Sequence, residues 1–434
     1  MFTRRGFLAA FSAAAAGFSV SFSSAAAPKA NALAADTAPI SLRTMGSFFF
    51  GGTVAKLENG ETFHGDHGYA QYYIAANSRS LPIVMWHGIG QSGKTYESTP
   101  DGREGYQALL PRHDWSVYIV DQPRRGRAGY TMAKSEGPTI PTTARESGVW
   151  SAFRNGDWKA PEAPTIYSGS QFPLSGAAVD QFFRQQTPDT GEEPLTAEYR
   201  AFIGRTGAAL FDRIGDGILM THSNSGQYGW EIAMASPHVK AVVAYEPGAC
   251  AFPEEEPPAP VEAATELVAS RMFPRMVPMQ KWQALTKVPI LIVFGDYIKD
   301  KPSEVFNEDV WRIARERAQQ FVELVNRHGG DATLVELPKL GIRGNTHAAF
   351  ADRNNLEVLA QLEGWLHEKG LDGRASPHLG PKPVEMPMTI PLERSPAHSP
   401  SFRRKGGVKQ ASEALCETDH MLLDGCMLNS QTRS

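Results

Sequence analysis

The stretch Gly217-Ile-Leu-Met-Thr-His-Ser-Asn-Ser-Gly-Gln-Tyr-Gly-Trp230 decides the fold of this chain. Ile218 to Met220 is a short apolar run of the kind that forms a buried strand. Gln227 to Ala235 reads as a helix, closed by Pro237. Ser223 sits at the junction, flanked by His222, Asn224, Ser225 and Gly226. A serine on a sharp strand-to-helix turn is a nucleophile elbow. The turn lifts the hydroxyl out of the sheet and leaves the following N–H groups at a helix N-terminus, where they favour negative charge. The usual elbow is Gly-x-Ser-x-Gly; here Thr221 and Ser225, both small, stand at the glycine positions. The alternative is an ordinary polar turn with a helix N-cap serine.

Upstream, Leu81 to Trp86 is a buried strand that ends in His87-Gly88-Ile89-Gly90. A His-Gly pair after such a strand is where an oxyanion loop is built, because glycine lets a peptide N–H turn toward the nucleophile. The next strand, Trp115 to Val120, ends in a turn that carries Arg124 and Arg125. Those two either bind an anionic group or hold the turn by ion pairs. The segment from about 128 to 210 is far longer than one connecting helix. It carries Trp150, Phe153, Trp158, Tyr167, Phe172, Phe182, Phe183, Tyr199 and Phe202, the composition of a cap over a pocket or of a small core of its own.

Downstream, Lys240 to Tyr245 is a strand ending in Glu246-Pro247, and Pro289 to Phe294 is a strand ending in Gly295-Asp296. A helix with Val310, Ile313, Ala314, Phe321 and Val325 on one side stops at Gly329-Gly330. The strand Ala332 to Leu337 follows, then Gly344-Asn-Thr-His347 and a closing helix with Leu356, Leu359, Leu362 and Leu366. Before all of these, residues 40–80 read as a β-meander with a turn at Glu58-Asn-Gly60. His64 and His67 fall in that hairpin and read as a solvated turn rather than a metal site.

The net charge of −4 gives no electrostatic footing for nucleic acid, and three cysteines in 434 residues are too few for a disulfide scaffold. Cys250 stands alone in the central region. Cys416 and Cys426 lie in the tail and could pair in an oxidising compartment; with His420 they lack ordinary zinc spacing. Thr3-Arg-Arg-Gly-Phe-Leu8, an Ala/Ser-rich apolar run and Ala32-Leu-Ala34 read as a twin-arginine signal peptide over 1–34. That places the mature protein in the periplasm or medium. Residues 40–372 read as one catalytic domain, with the cap at about 128–210. The Pro/Ser/Lys/Arg-rich stretch 373–434 reads as a disordered extension.

Strands alternating with helices imply an α/β fold with a mostly parallel sheet, whose catalytic groups sit at carboxyl ends of strands. His87-Gly88, Ser223, Glu246 and His347 all fall at such ends or in the loop beyond. A serine needs an imidazole to take its proton, and the imidazole needs a carboxylate to fix its tautomer. Nucleophile, acid, histidine is the chain order of α/β-hydrolases. From fold habit alone the acid is Asp296, one strand beyond Glu246.

The chain resembles a group of α/β-hydrolases, the bacterial secreted esterases of the Alcaligenes esterase 713 type. The shared residues are Ser47, Phe48, Phe49, Gly51, Gly52, His87-Gly88, His222-Ser-Asn-Ser-Gly226, Tyr245-Glu-Pro247, Phe294-Gly-Asp-Tyr-Ile298, Gly344-Asn-Thr-His347 and Asp352-Arg-Asn-Asn355. Some relatives carry cysteines after the His-Gly pair, where this chain has Ile89-Gly90. The resemblance implies an α/β-hydrolase fold and a Ser-His-Glu triad of Ser223, His347 and Glu246. It also implies backbone oxyanion donors at Ile89 and Asn224, with Asp296 as the alternative acid. His222 reads as structural, pointing away from the nucleophile. The expected activity is carboxylester hydrolysis on a small-molecule ester, without cofactor, metal, nucleic acid or lasting membrane insertion. A homodimer is compatible with it. A thioesterase or acyltransferase on the same triad is the in-class alternative, and a non-catalytic binding protein of this fold the other. An elbow aspartate, required by dehalogenases, and the Lys-Thr-Gly of class A β-lactamases are both absent.

Overall fold

The structure, a computed structural model, describes residues 38–56, 58–129, 144–186 and 193–383. The signal peptide, most of the extension and the Cys416/His420/Cys426 group lie outside the described residues. In chain order the elements are β1 (Leu42–Lys56), β2 (Thr62–Ala75), β3 (Ile83–Trp86), α1 (Tyr106–Arg112), β4 (Val117–Asp121), α2 (Glu146–Ala152), α3 (Gly176–Arg184) and α4 (Ala197–Ile214). There follow β5 (Gly217–His222), α5 (Gly226–Ala235), β6 (Val239–Tyr245), β7 (Ala251–Pro253), α6 (Glu266–Arg271), β8 (Arg275–Val277), α7 (Met279–Trp282), β9 (Ile290–Phe294), α8 (Phe306–Arg327), β10 (Ala332–Glu336) and α9 (Asn355–Glu368).

Eight strands form one sheet in the order β1-β2-β4-β3-β5-β6-β9-β10. Only the β1–β2 and β2–β4 pairings are antiparallel; every later pairing is parallel. The inner parallel strands β3, β5 and β9 are buried on both faces, which is why they read as unbroken apolar runs. Alternate residues feed two cores. Val84, Trp86, Leu219 and Ile292 face α4, α5 and α8, where Phe211, Ile232 and Phe321 are buried. Ile83, Met85, Met220 and Leu291 face α1 and α9, where Leu110, Leu359 and Leu362 are buried. Leu356, expected on the buried side of α9, is 60% exposed. It lies in the first turn of that helix, beyond the stripe that meets the sheet.

Two further expectations change. His64 and His67 are paired residues inside β2, opposite Val54 and Gly51, not a turn; the His67 ring packs edge-on against Phe49. The chain also keeps its structure past Gly373. Ser80 N–H donates to Gly373 O, His378 N–H to Arg79 O, and the buried His378 ring meets the Tyr118 hydroxyl at 2.7 Å. A polar, proline-rich stretch is held here by hydrogen bonds to the main chain rather than by apolar periodicity.

The long segment between β4 and β5 divides in two. Its last part, α4, is a sheet-packing helix with Ile203, Leu210 and Phe211 buried in the first core. The earlier part, with α2 and α3, packs largely on itself: Trp150 against Phe172 at 5.5 Å, and Phe182 against Phe153 at 5.1 Å and Phe172 at 5.2 Å.

Candidate active site

Ser223 follows β5 directly and has φ = 59°. A non-glycine residue in the left-handed region carries strain that the surroundings must hold in place. The substitutes for the usual glycines do that work. Ser225 Oγ accepts from His222 N–H at 3.0 Å and lies 3.0 Å from Trp86 O and 2.9 Å from His222 O. It therefore ties the elbow to the end of β3, which glycine cannot do. Thr221 is accommodated by Gly229 one helical turn into α5. A Cβ at Gly229 would lie 2.8 Å from Thr221 Cγ2.

The His-Gly loop approaches the elbow from β3, the neighbouring strand. A Cβ on Gly88 would stand 3.1 Å from Ser223 Cβ and 3.0 Å from His222 Nδ1. His87 donates from Nδ1 to Gly88 O at 2.8 Å and accepts at Nε2 from Gln122 N–H at 3.2 Å. Burial keeps its pKa below the ordinary imidazole value, so both bonds belong to the neutral ring. Ile89, the next residue, is 39% exposed, with its N–H in the peptide that His87 orients.

Glu246 follows β6, which pairs with β5 on the other side. It too has positive φ, 46°. Its Oε2 lies 2.5 Å from His347 Nδ1, and its Oε1 accepts from Gly295 N–H at 2.7 Å. Asp296 takes a different part. Its Oδ2 accepts from Gly344 N–H at 2.9 Å and its Oδ1 from Tyr297 N–H at 2.8 Å, so it braces the loop that carries His347. Between the two acids considered from the sequence, only Glu246 contacts the imidazole among the described residues.

Three residues absent from the sequence reading, Arg154, Trp311 and Glu193, join Phe153 and His222 in building the site. Arg154, after α2, grips Glu246 with both terminal nitrogens, Nη1 to Oε2 at 2.7 Å and Nη2 to Oε1, and donates from Nε to Asp296 O at 2.8 Å. Its own φ is 53°. Trp311 of α8 packs on the His347 ring at 4.1 Å and Phe153 meets it edge-on at 5.1 Å. His347 N–H also donates to Phe153 O at 3.0 Å. His222 does not stand apart from the histidine: the two rings are 4.4 Å apart, and His222 Nε2 donates to His347 O at 3.0 Å. Burial and the nearby His347 push its pKa well down, so it is a neutral packing partner. Finally, Glu193 is fully buried beside Asn224, and its carboxylate accepts from Gln122, Asn224 and Tyr228.

The electrostatics follow from these contacts. Burial pushes the Glu246 carboxyl up, but the charges of Arg154 and His347 with their hydrogen bonds outweigh it and hold it at about 2. Burial lowers the His347 pKa, with Arg154 adding to the effect and Glu246 opposing it. Burial lifts Asp352 to about 7, against hydrogen bonds from Thr346 N–H, Thr346 Oγ1 and Asn345 Nδ2. Asp352 thereby pins the two residues before His347, which gives the Asp-Arg-Asn-Asn stretch a structural purpose. Arg124 and Arg125 are held in ion pairs, to Asp66 at 3.0 Å and to Glu193 at 3.3 Å. Cys250 is buried and free, with its thiol pushed far up by burial.

A bacterial esterase of known structure superposes with a TM-score of 0.60 at 28% identity, covering 76% of this chain and 98% of its own. The chain has the α/β-hydrolase fold. A fungal protein described as a probable secreted lipase, phiG, is 26% identical over 347 residues, 69% of this chain and 86% of that one. No family model matches. Among the described residues, no helix is long and apolar enough to cross a membrane.

Proposed function

We propose that this protein is a serine carboxylesterase working through an acyl-enzyme on Ser223, His347 and Glu246. It is a hydrolase acting on ester bonds, the chemistry named for both relatives above. The observations that carry the finer reading are a strained Ser223 at the end of β5 and a buried Glu246–His347 contact of 2.5 Å, with Glu246 at the end of the neighbouring β6.

In this reading His347 Nε2 takes the Ser223 Oγ proton as Oγ attacks the ester carbonyl carbon. Glu246 on Nδ1 keeps Nε2 free to accept and stabilises the imidazolium that forms. The carbonyl oxygen gains negative charge and is met by the N–H groups of Ile89 and Asn224. The tetrahedral adduct collapses, the C–O bond to the alcohol breaks, and the alcohol leaves with the His347 proton. Water then attacks the acyl-enzyme with His347 again as base, releasing the acid and restoring Ser223. Arg154 shares the carboxylate charge with the imidazolium, so it positions Glu246 at some cost to its basic pull.

The twin-arginine motif at Arg4-Arg5 supports export, and the fungal relative is described as secreted. The substrate is a small-molecule ester. A panel of p-nitrophenyl esters from C2 to C16, run beside matched thioesters, tests the reaction. Faster turnover of the thioesters at every chain length would replace carboxylesterase by thioesterase.

A further inference from the structure

Glu193 contacts one arm of the proposed oxyanion hole directly, at Asn224, and is linked to the other through Gln122 and His87. It comes from the end of the segment between β4 and β5, just before α4, and its side chain has no exposed surface. One oxygen, Oε1, accepts from Gln122 Nε2 at 2.8 Å and from Arg125 Nη2 at 3.3 Å. The other, Oε2, accepts from Asn224 Nδ2 at 2.7 Å and from the Tyr228 hydroxyl at 2.6 Å. The two oxygens lead in opposite directions.

From Oε1 the path runs to the His-Gly loop. Gln122 also accepts from Trp86 Nε1 at 3.1 Å, and its own N–H donates to His87 Nε2 at 3.2 Å. That bond fixes the proton of the neutral His87 ring on Nδ1, which donates to Gly88 O at 2.8 Å. Gly88 C=O and Ile89 N–H belong to one planar peptide and point in opposite directions. Holding the carbonyl therefore aims the N–H. From Oε2 the path runs to the elbow. Asn224 is anchored by its side chain at both ends, since its Oδ1 also accepts from Gln227 Nε2 at 2.6 Å. Its backbone N–H is the second oxyanion donor.

We propose that Glu193 is a positioning residue that fixes both oxyanion donors, Ile89 N–H and Asn224 N–H, relative to Ser223. The inference rests on the reading of Ser223 as nucleophile. A carboxylate suits the task because it accepts four hydrogen bonds, two from the turn after β4 and two from the elbow and α5, and donates none. Charge-assisted bonds of 2.6–2.8 Å hold their partners tighter than neutral ones. A glutamine would turn an acceptor oxygen into a donor facing another donor.

The test uses the purified enzyme and a short alkyl trifluoromethyl ketone, whose hemiketal with Ser223 places an oxygen anion in the hole. Glu193→Gln should lower kcat by about 10- to 100-fold with KM within about 3-fold, less than the ~10²–10³ seen when an oxyanion donor is removed outright. The ketone Ki should rise by the same factor as kcat/KM falls, and the acid limb of the pH profile should not move, because Glu246 and His347 are untouched. Gln122→Leu cuts only the first path and should give a smaller loss with the same parallel rise in Ki; it serves if Glu193→Gln fails to fold. A folded Glu193→Gln with unchanged kcat and Ki, or a loss of kcat with the ketone Ki unmoved, would overturn the proposal. Ser223→Ala separates the two claims. If that variant still hydrolyses esters and binds the ketone as tightly, the nucleophile assignment itself falls and takes this one with it. If Ser223→Ala is inert, the Glu193 result stands on its own.

Discussion

Replacing Glu246 by Gln should cost stability and catalysis together, and the two losses can be separated through Arg154. Both side chains of the pair are buried, at 4% and 2% exposure. Glu246→Gln removes the charge with little change in volume but leaves the Arg154 guanidinium unpaired in the interior. Breaking a buried pair from one side costs about 3–5 kcal/mol. The lowered carboxyl gives a similar figure: about 2 against an ordinary 4.5 is roughly 3 kcal/mol at ~1.4 kcal/mol per pH unit. The sign follows, since a depressed acid contributes stability that is present above pH 4.5 and lost as pH falls toward 2. Catalysis should fall by on the order of 10³–10⁴ in kcat, the scale seen when a serine protease loses its acid. The double variant Glu246→Gln/Arg154→Met removes the orphaned charge. It should recover most of the stability in urea unfolding while kcat stays at the single-variant level. Asp296→Asn keeps one acceptor for Gly344 N–H and should lose no more than about 10-fold. If Glu246→Gln kept kcat within 10-fold while Asp296→Asn lost 10³, the acid would be Asp296 and the reasoning from the 2.5 Å contact wrong.

Three further outcomes are expected. His347 must be neutral to act as base and its pKa lies below the ordinary 6.5, so the acid limb of kcat/KM should fall below pH 6.5; Arg154→Met removes a positive charge and should move that limb to higher pH. Gly229→Ala should destabilise by about 1–3 kcal/mol through the 2.8 Å clash with Thr221 Cγ2, and Thr221→Ser/Gly229→Ala should relieve it, read by thermal unfolding. Replacing Arg4 and Arg5 by Lys in the full chain should leave folded, active enzyme in the cytoplasm of an exporting host, and continued export would point to another route.

Much of the site was legible because it obeys a backbone rule. Ser223, Glu246 and the Gly344–His347 loop each follow a strand, and strands that are buried on both faces announce themselves as apolar runs. Choosing Glu246 over Asp296 took a family resemblance, because both follow strands and only the tertiary placement of His347 tells them apart. Arg154 and Glu193 were not legible. They sit in the segment between β4 and β5, where no periodicity fixes direction, and their partners are 92 and 31–71 residues away. The faint signal for Arg154 was a lone cation among Trp150, Phe153 and Asn155, a setting that needs a buried counter-charge. His222 reads as structural from its place on the elbow, but its partner, the His347 ring 4.4 Å away, comes from a loop 125 residues on and is not visible in the local sequence.

The most direct measurement is to treat the enzyme with a fluorophosphonate at neutral pH, digest it, and locate the adduct by mass spectrometry. Phosphonylation should fall on Ser223 alone, with activity lost in proportion to labelling and neither event occurring in Ser223→Ala. Stoichiometric labelling of another serine, or full activity after Ser223 is labelled, would contradict the account.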